Sequence, residues 1–360
     1  MDVDNLWGSV TKVPERSRPA SRAGNNKPGQ RMSISERTQA VLLLTLRLPD
    51  SMSDSPQPLT PTEWNLFCQW LGTASLCPEA LLQTRTLELA DSTTPCPLEI
   101  GRIRGLLQRG MALAVSLDKW TKAGIWVRTR SDNGYPQRLR ARLQSQAPPV
   151  LFGAGSIDLL NQGGVAMVGS RNAPPDDLET ATGIAVAVSD AGLPVVSGGA
   201  RGVDQASMDA ALEVGGTAIG VLCEGLFNRS LTATVREHLS AQSLAIVSPY
   251  SPEARFSVGN AMGRNKFIYC LADSAVVVHS GTKGGTWEGA NETLRQGWVP
   301  VWVNRTQDRA AGNQALIDAG ATWIDSELDP LFRASPPTDS KTNQPELATA
   351  APGTTQLSLF

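Results

Sequence analysis

Two segments decide the fold, V-A-M-V-G-S-R at residues 165–171 and L-P-V-V-S-G-G-A-R-G-V-D at residues 193–204. Each begins with an apolar run that ends at a glycine, and an arginine follows closely. Apolar runs of this length are typical of buried strands in a parallel sheet, and a glycine at the strand end lets the backbone turn tightly beside a ligand. The amphipathic segment between the two runs predicts a helix. We therefore expect a strand–helix–strand unit with two glycine turns at one edge of a sheet.

The same alternation continues along the chain. Further apolar runs lie at residues 217–222, 244–248, 275–280 and 298–303, and helical patterns separate them. Strands that alternate with helices predict a doubly wound α/β fold with a mainly parallel, Rossmann-like sheet. Because G-S-R-N-A at residues 169–173 replaces the G-x-G-x-x-G dinucleotide fingerprint, we expect neither NAD nor FAD and predict no cofactor.

Three turns at the predicted strand ends favour an anion. Arg171 and Arg201 belong to the first two turns, and G-T-K-G-G-T at residues 281–286 forms the third, before a predicted helix at residues 287–296. Helix N-termini and arginine side chains both attract phosphate. The carboxyl ends of parallel strands meet at one edge of a sheet, so the three turns predict a phosphate-binding edge.

Two further motifs accompany the two segments above: F-x-x-x-N-A-M-G-R-N-K at residues 256–266, and Y-P-Q-R-L-R followed by P-P-V-L-F-G-A-G at residues 135–155. Taken together, these motifs resemble the DprA/Smf family of DNA-processing proteins. The resemblance spans about residues 100–303. It implies an extended Rossmann-like fold, a homodimer that binds single-stranded DNA, and help in loading a RecA-type recombinase, with transformation, repair and defence against foreign DNA all open as the setting.

The resemblance and the predicted edge together indicate one DNA-binding pocket. Its backbone amides and cationic side chains are expected to bind phosphates without regard to base sequence. The residues expected there are Gly169, Ser170, Arg171, Ser197, Gly198, Gly199, Arg201, Gly202, Arg264, Asn265, Lys266, Lys283, Gly284, Gly285 and Thr286.

The loop K-G-G-T-W-E-G at residues 283–289 supports an alternative function. The DprA family usually has a serine-rich loop here, whereas this loop is similar to that of the LOG-type nucleotide phosphoribohydrolases. That resemblance implies catalytic roles for Arg264, which would hold phosphate or ribose, and for Glu288, which would stabilise oxocarbenium-like charge. Alternatively, Glu288 simply occupies the first turn of its helix, where negative charge is favourable. The rest of the chain matches the DprA family better, so a hydrolase or nucleotide sensor is the second choice.

Residues 34–147 predict a small helical (SAM-like) domain and a connector that leads to the Rossmann-like domain at residues 148–333. The connector carries several arginines, which form either a phosphate-contacting stripe or a solvated face; we favour the solvated face. They are Arg128, Arg130, Arg138, Arg140 and Arg142. The run P-P-V-L-F at residues 148–152 predicts an extra strand at the margin of the sheet, because proline is confined to edge strands.

Residues 1–33 and 334–360 have few apolar residues and are predicted to be disordered tails. The second tail ends in Q-L-S-L-F, which resembles the peptide that binds the bacterial sliding clamp. Gln356 would supply a hydrogen bond, and Leu357, Leu359 and Phe360 would fill apolar pockets. A chance match of five residues is the alternative, and we weigh the two about equally.

Composition limits the remaining functions. The chain has 360 residues, of which 41% are hydrophobic, and it contains neither an apolar run long enough to cross a membrane nor a secretory signal, so we expect a cytoplasmic protein. Two histidines and five scattered cysteines predict no metal site, and without a phosphate-binding G-x-x-x-x-G-K-[ST] loop we lean against an enzyme. Residues 151–333 carry 12 Lys and Arg against 19 Asp and Glu, so DNA binding requires the cations to gather at one pocket.

Overall fold

The computed structural model describes residues 34–48, 56–83, 85–325 and 328–333. Both predicted tails, residues 1–33 and 334–360, lie outside the described residues. The predicted clamp-binding residues Gln356, Leu357, Leu359 and Phe360 therefore lie outside them as well.

The described residues of the N-terminal region fold into α-helices around an apolar core. The first helix begins after Ser35, whose Oγ accepts a hydrogen bond from the amide of Thr38 at 3.1 Å, and the second begins with a capping box between Thr60 and Glu63. The A-V-L-L-L run of the first helix is buried, so this helix lies at the centre of the region. The helices are α1 (Glu36–Thr45), α2 (Pro61–Thr73), α3 (Thr86–Thr93), α4 (Ile100–Leu107) and α5 (Gly110–Lys122), with a 3-10 helix at Pro78–Leu82.

One sheet of nine strands runs through the part of the chain that the structure describes. The strands are β1 (Trp126–Thr129), β2 (Val150–Gly155), β3 (Val165–Val168), β4 (Val195–Ser197), β5 (Ala218–Val221), β6 (Leu244–Ser248), β7 (Ser274–Val277), β8 (Val301–Val303) and β9 (Thr322–Trp323). Their order is β1-β2-β6-β5-β4-β3-β7-β8-β9. All pairs from β6 to β9 are parallel, and β1 and β2 add antiparallel strands next to β6. This order confirms the predicted doubly wound, mainly parallel fold.

Helices cover both faces of the sheet. Val165 and Met167 of β3 pack in one cluster with the helix that follows β3, whereas Ala166 and Val168 face the opposite side, towards Phe267. The remaining helices are α6 (Gln137–Leu143), α7 (Leu159–Gln162), α8 (Pro175–Asp190), α9 (Val203–Glu213), α10 (Leu226–Leu231), α11 (Ala233–Ser240), α12 (Val258–Leu271), α13 (Gly285–Gln296), α14 (Asn313–Asp318) and α15 (Asp329–Phe332), with a 3-10 helix at Gln144–Gln146. Among the described helices, none has the length and apolar character needed to cross a membrane.

The prediction that P-P-V-L-F forms a strand at the sheet margin was wrong in its position. The strand exists as β2, but β1 covers its outer side, so β2 lies inside the sheet. Pro148 and Pro149 both precede the strand, and from Val150 onward each residue has an N–H to donate, so the proline restriction does not apply. The covering strand β1 comes from the stretch that was predicted to be a connector.

The expectation of a solvated arginine face was wrong for four of the five arginines. Arg128 is half-buried and donates to the carbonyl of Val127 at 2.8 Å. Arg138 lies 2.9 Å from the carboxylate of Asp273, Arg142 donates to the carbonyl of Cys270 at 2.9 Å, and Arg130 donates to the side chain of Asn65 at 3.2 Å. These guanidinium groups satisfy carbonyl and carboxylate oxygens of the protein itself. They tie α6 to the end of α12 and the connector to α2.

Trp120 on α5 joins the helical region to the sheet. Its side chain is fully buried and meets the ring of Phe152 on β2 edge-on, with ring centroids 5.4 Å apart. The indole Nε1 also lies 3.4 Å from a carboxylate oxygen of Glu253, beyond β6. An aromatic pair of this kind contributes both buried area and a specific geometry.

We expect the replacement Trp120→Ala to lower the free energy of unfolding by about 3–5 kcal/mol, because it leaves a cavity between α5 and β2. Denaturant unfolding followed by circular dichroism measures the change. Met111→Ala is the matched control, since Met111 lies on the same helix with 80% of its surface exposed and should change stability by less than about 0.5 kcal/mol. A Trp120 variant as stable as this control would contradict the role of Trp120 in joining the two regions.

Candidate nucleic-acid interface

The candidate site lies where the winding of the sheet reverses. The chain builds outward from β3 through β4 and β5 to β6, and then crosses to β7 on the other side of β3. Crevices at such reversal points, outside the carboxyl ends of the strands, are where open α/β sheets bind ligands. The turns after β3, β4 and β7 meet at this edge, as the sequence predicted.

The turns after β3 and β7 are bonded to each other. The amide of Ser170 donates to the carbonyl of His279 at 2.9 Å, and the hydroxyl of Thr286 donates to the carbonyl of Gly169 at 3.1 Å. Asn265 of α12 donates to the carbonyl of Gly285 at 2.9 Å, at the start of α13. These bonds fix the first turn (after β3) and the third turn (after β7) relative to each other.

The turns after β3 and β4 touch without space for a side chain between them. Gly202 has φ +91°, and a Cβ atom there would lie 2.3 Å from the carbonyl oxygen of Ser170. A Cβ atom added at Gly169 would lie 2.4 Å from the side chain of Val203. Glycine is therefore required at Gly202 by the approach of the two backbones, and at Gly169 by the packing of the Val203 side chain. Arg201 closes the contact by donating to the side chain of Asn172.

Some predicted site residues present charge at the surface of this edge. Arg171, Arg201 and Lys283 are exposed, one on each of the three turns, and Gly284 beside Lys283 is exposed as well. Lys266 is half-buried, and its Nζ lies 5.5 Å from the ring centroid of Phe267 on the same helix. The exposed cations thus gather on three neighbouring turns, although the domain around them carries an excess of acidic residues.

Other predicted site residues lie beneath the surface. Ser197 is fully buried and donates to the carbonyl of Met167 at 2.6 Å, which ties β4 to β3. Arg264 is only 4% exposed; its Nη1 donates to the carbonyl of Val221 at 2.5 Å, and its guanidinium packs against Gly198. Arg264 is therefore positioned as an internal cation. Glu288, its predicted catalytic partner, is exposed in the first turn of α13.

A buried carboxylate, Asp204, lies under the first two turns, and the sequence prediction missed it. Its oxygen accepts a hydrogen bond from the amide of Gly198 at 3.2 Å, and the amides of Ala200 and Gly169 donate to the same carboxylate. Burial raises the pKa of Asp204, while the charge of Arg264 and the three amides lower it. The available signal was an acidic residue at the second position of a helix that follows a glycine turn.

An exposed aromatic ring, Phe256, lies beside the cations. The residue is 46% exposed, and the guanidinium carbon of Arg171 is 5.7 Å from its ring centroid. Val258 and Met262, on the first turns of α12, are also exposed, at 66% and 45%. The sequence motif contained Phe256, but no single-residue pattern indicated that its ring would face solvent next to Arg171.

His279, at the end of the β7 segment, has a structural partner. The residue is 7% exposed, and its Nε2 lies 3.1 Å from a carboxylate oxygen of Asp308. The pKa of Asp308 is lowered first by the hydrogen bond from the amide of Ala310 and then by His279. The pair fixes the loop after β8 against the end of β7.

Comparison with known proteins now places the chain. A sequence model of the family described as DNA recombination-mediator protein A matches residues 126–334. The chain belongs to this family. That match confirms the DprA/Smf resemblance, and the matched residues include every strand of the sheet and all three turns of the candidate interface.

Individual relatives agree with this assignment. The chain is 31% identical over 191 residues to a putative DNA processing protein DprA of Mycobacterium tuberculosis, covering 51% of this chain and 49% of that protein. It is 28% identical over 204 residues to DNA processing protein DprA of Bacillus subtilis, covering 55% of this chain and 68% of that protein. The chain thus spans about half the length of the mycobacterial relative. The X-ray structure of DprA from Streptococcus pneumoniae is similar in fold, with a TM-score of 0.52 at 21% identity, covering 75% of this chain and 98% of that one.

Helix α9, which begins at this interface, carries a second perturbed carboxyl group. Burial, and then the negative charge of Glu213, raise the pKa of Asp209 to about 7, although Gln205 lowers it by a hydrogen bond. Between its ordinary pKa of 3.8 and this value, the folded protein keeps a proton that the unfolded chain releases. Stability is therefore lost as the pH rises through this window.

We expect Asp209→Asn to raise the melting temperature at about pH 8, where wild-type Asp209 is ionised in a buried position, and to have little effect at about pH 4. Thermal unfolding of both proteins across this pH range is the measurement. Glu179→Gln, on the exposed face of neighbouring α8, removes one negative charge without this pH dependence and serves as the control. A constant difference between the Asp209 variant and wild type at every pH would contradict the raised pKa.

Proposed function

We propose that the carboxyl edge of the sheet binds single-stranded DNA. The observation that carries the proposal is that Arg171, Arg201 and Lys283 lie exposed on three neighbouring turns, with the ring of Phe256 beside Arg171. Single strands present phosphate charge and unstacked bases at the same time, and proteins bind them with cations along the backbone and aromatic rings under the bases. This edge offers both kinds of contact.

Charge and shape both favour a single strand over a duplex. A duplex encloses the faces of its bases, so Phe256, Val258 and Met262 would have no apolar surface to cover, whereas a single strand can place a base on them. The surrounding domain is acidic overall, so cations are concentrated at this edge rather than spread over a broad duplex-binding face. The cationic contacts carry no base-specific information, and we infer sequence-independent binding.

Titration of labelled single and double strands at several salt concentrations tests the proposal. The single strand should bind more tightly, and affinity should fall as salt rises. Arg171→Ala should weaken binding roughly tenfold or more and reduce the salt slope by about 0.7, the value for one lost phosphate contact on a single strand. Arg295→Ala is the matched control, because Arg295 is exposed at the far end of α13. Equal affinity for both strands, or equal effects of the two arginine variants, would overturn the proposal.

Phe256→Ala separates stacking from charge in the same titration. It should weaken binding by about 1–3 kcal/mol, as loss of one stacked base does, and leave the salt slope unchanged. Val214→Ala is the control, because Val214 is also 46% exposed but lies at the far end of α9, away from the edge. A change in salt slope without a loss of affinity would contradict a base-stacking role for Phe256.

We further propose that the bound strand is passed to a RecA-type recombinase and that the chain acts as a homodimer in the cytoplasm. Membership of the recombination-mediator family supports these steps. Natural transformation, recombinational repair and defence against foreign DNA are all compatible with this activity. The buried position of Arg264 weighs against the nucleotide phosphoribohydrolase alternative, which needs this side chain to reach a substrate.

We also propose that the C-terminal peptide Q-L-S-L-F binds the bacterial sliding clamp. The peptide follows a run of low-hydrophobicity residues after residue 333, which would give it reach without fixing its orientation. Leu357, Leu359 and Phe360 would supply apolar area, and Gln356 a hydrogen bond. Affinity should be modest, because a short peptide loses conformational freedom when it binds.

A pull-down with purified clamp tests this proposal directly. The full chain should recover the clamp, and a chain that lacks residues 356–360 should not. Phe360→Ala should also lose most of the recovery, whereas Ser358→Ala, between the anchor residues, should keep it. Equal recovery with the full and the shortened chain would reject clamp binding and would leave DNA binding unaffected.

A further inference from the structure

Asp204 lies buried under the glycine turns and accepts hydrogen bonds from their amides. In open α/β sheets, the amides of such turns commonly point at a phosphate. Here the amides of Gly169, Gly198 and Ala200 donate to the carboxylate of Asp204 instead, and Asp204 is only 7% exposed. The protein itself therefore supplies the anion for these donors.

Two turns from different strands share this one carboxylate. Gly169 begins the turn after β3, whereas Gly198 and Ala200 belong to the turn after β4. Each turn carries one exposed arginine close to its bonded amide: Arg171 is two residues after Gly169, and Arg201 directly follows Ala200. A single side chain thus fixes the backbone that carries both cations.

Direct contacts between the turns make them respond as one body. The amide of Val203 approaches the carbonyl of Ser170 at 3.4 Å, and Gly202 leaves no space between the two backbones. Arg264, whose charge favours the ionised form of Asp204, packs against Gly198 from the interior. A change at Asp204 therefore reaches both turns.

We infer that Asp204 is a positioning residue for the DNA-binding edge: it holds the first two turns from below, so that Arg171 and Arg201 face the same strand of DNA. It follows that side chains of these turns bind phosphate, whereas the amides of Gly169, Gly198 and Ala200 do not. The inference rests on the proposed binding of single-stranded DNA.

The sign of the charge effect separates positioning from simple electrostatics. Replacing a carboxylate near a DNA-binding edge by a neutral amide removes repulsion, and by charge alone it should strengthen binding. A positioning role predicts weaker binding instead, because Arg171 and Arg201 would no longer be held in a fixed position relative to each other. Asp176→Asn is the charge-matched control, since Asp176 is exposed in the first turn of α8, shortly after the first turn of the edge.

Hydrogen exchange, resolved to single amides in the full chain without DNA, tests whether Asp204 holds the amides of the two turns. In the wild-type protein the amides of Gly169, Gly198 and Ala200 should exchange slowly, and those of Lys283 and Gly284 on the third turn should exchange fast. Asp204→Asn should accelerate exchange in the first two turns more than in the third turn, which is bonded to the first turn but lies further from Asp204. Fast exchange at Gly169, Gly198 and Ala200 in the wild type would overturn the inference without any variant.

A double-mutant cycle on single-stranded DNA affinity tests the consequence for binding. Asp204→Asn should weaken binding roughly tenfold, whereas Asp176→Asn should not weaken it. The loss in Asp204→Asn combined with Arg171→Ala should be smaller than the sum of the single losses, because both act through Arg171. The loss in Asp204→Asn combined with Lys283→Ala should lie closer to the sum, because the third turn is linked to Asp204 through the first turn.

Control measurements keep the outcomes distinct. Asp204→Glu retains the charge but displaces the carboxylate, so it should also weaken binding; thermal unfolding shows whether each variant is folded. Unchanged or tighter binding by folded Asp204→Asn, or equal additivity in both cycles, would overturn the positioning role. If the wild-type protein fails to bind single strands, the proposed function is rejected instead. The exchange rates would then show by themselves whether Asp204 holds the two turns.

Discussion

The contact between the turns after β3 and β4 is the constraint on which the rest of the edge depends. A Cβ at Gly202 would lie 2.3 Å from the carbonyl of Ser170, so the two backbones touch directly. Beneath this contact the side chain of Asp204 is buried and accepts hydrogen bonds from backbone amides of both turns. It also directs the arginine side chains outward, since the interior is already occupied. Glycine, buried carboxylate and exposed cation are therefore parts of one arrangement.

The sequence predicted the sheet because its signals are local. Apolar runs, glycines at their ends and helical patterns between them do not depend on distant residues, and the parallel order follows from the handedness of strand–helix–strand units. The prediction was wrong for β2 because its neighbour β1 comes from a segment without a strong strand pattern. The pairing of Trp126 with Gly153, whose missing side chain leaves room for the indole, favours the addition of β1 to the outer side of β2.

The sequence indicated which turns form the candidate site, but not which of its side chains are exposed and which are buried. Arg171, Arg201 and Arg264 look equivalent in a sequence, since each is an arginine near a glycine. The structure separates them: two are exposed, and the third is buried under Gly198, donating to the carbonyl of Val221. Which arginine reaches solvent is decided by the packing of α12 against the sheet, a long-range contact that motif spacing does not encode. The same holds for Arg138 and Arg142, whose partners lie more than 100 residues away along the chain.

The contact between Trp120 and Phe152 has a consequence for cooperativity. Lys119 and Trp120 of α5 both reach Glu253, in the loop that leads to Phe256, so the helical region is bonded to the segment that carries the exposed ring. Unfolding of α5 would expose Phe152 on the sheet, and it would also break the bonds that hold this loop. Since neither region can lose its structure without exposing apolar surface of the other, we expect the two regions to unfold together. The order of the exposed Phe256 ring then depends on helices that lie on the far side of β2.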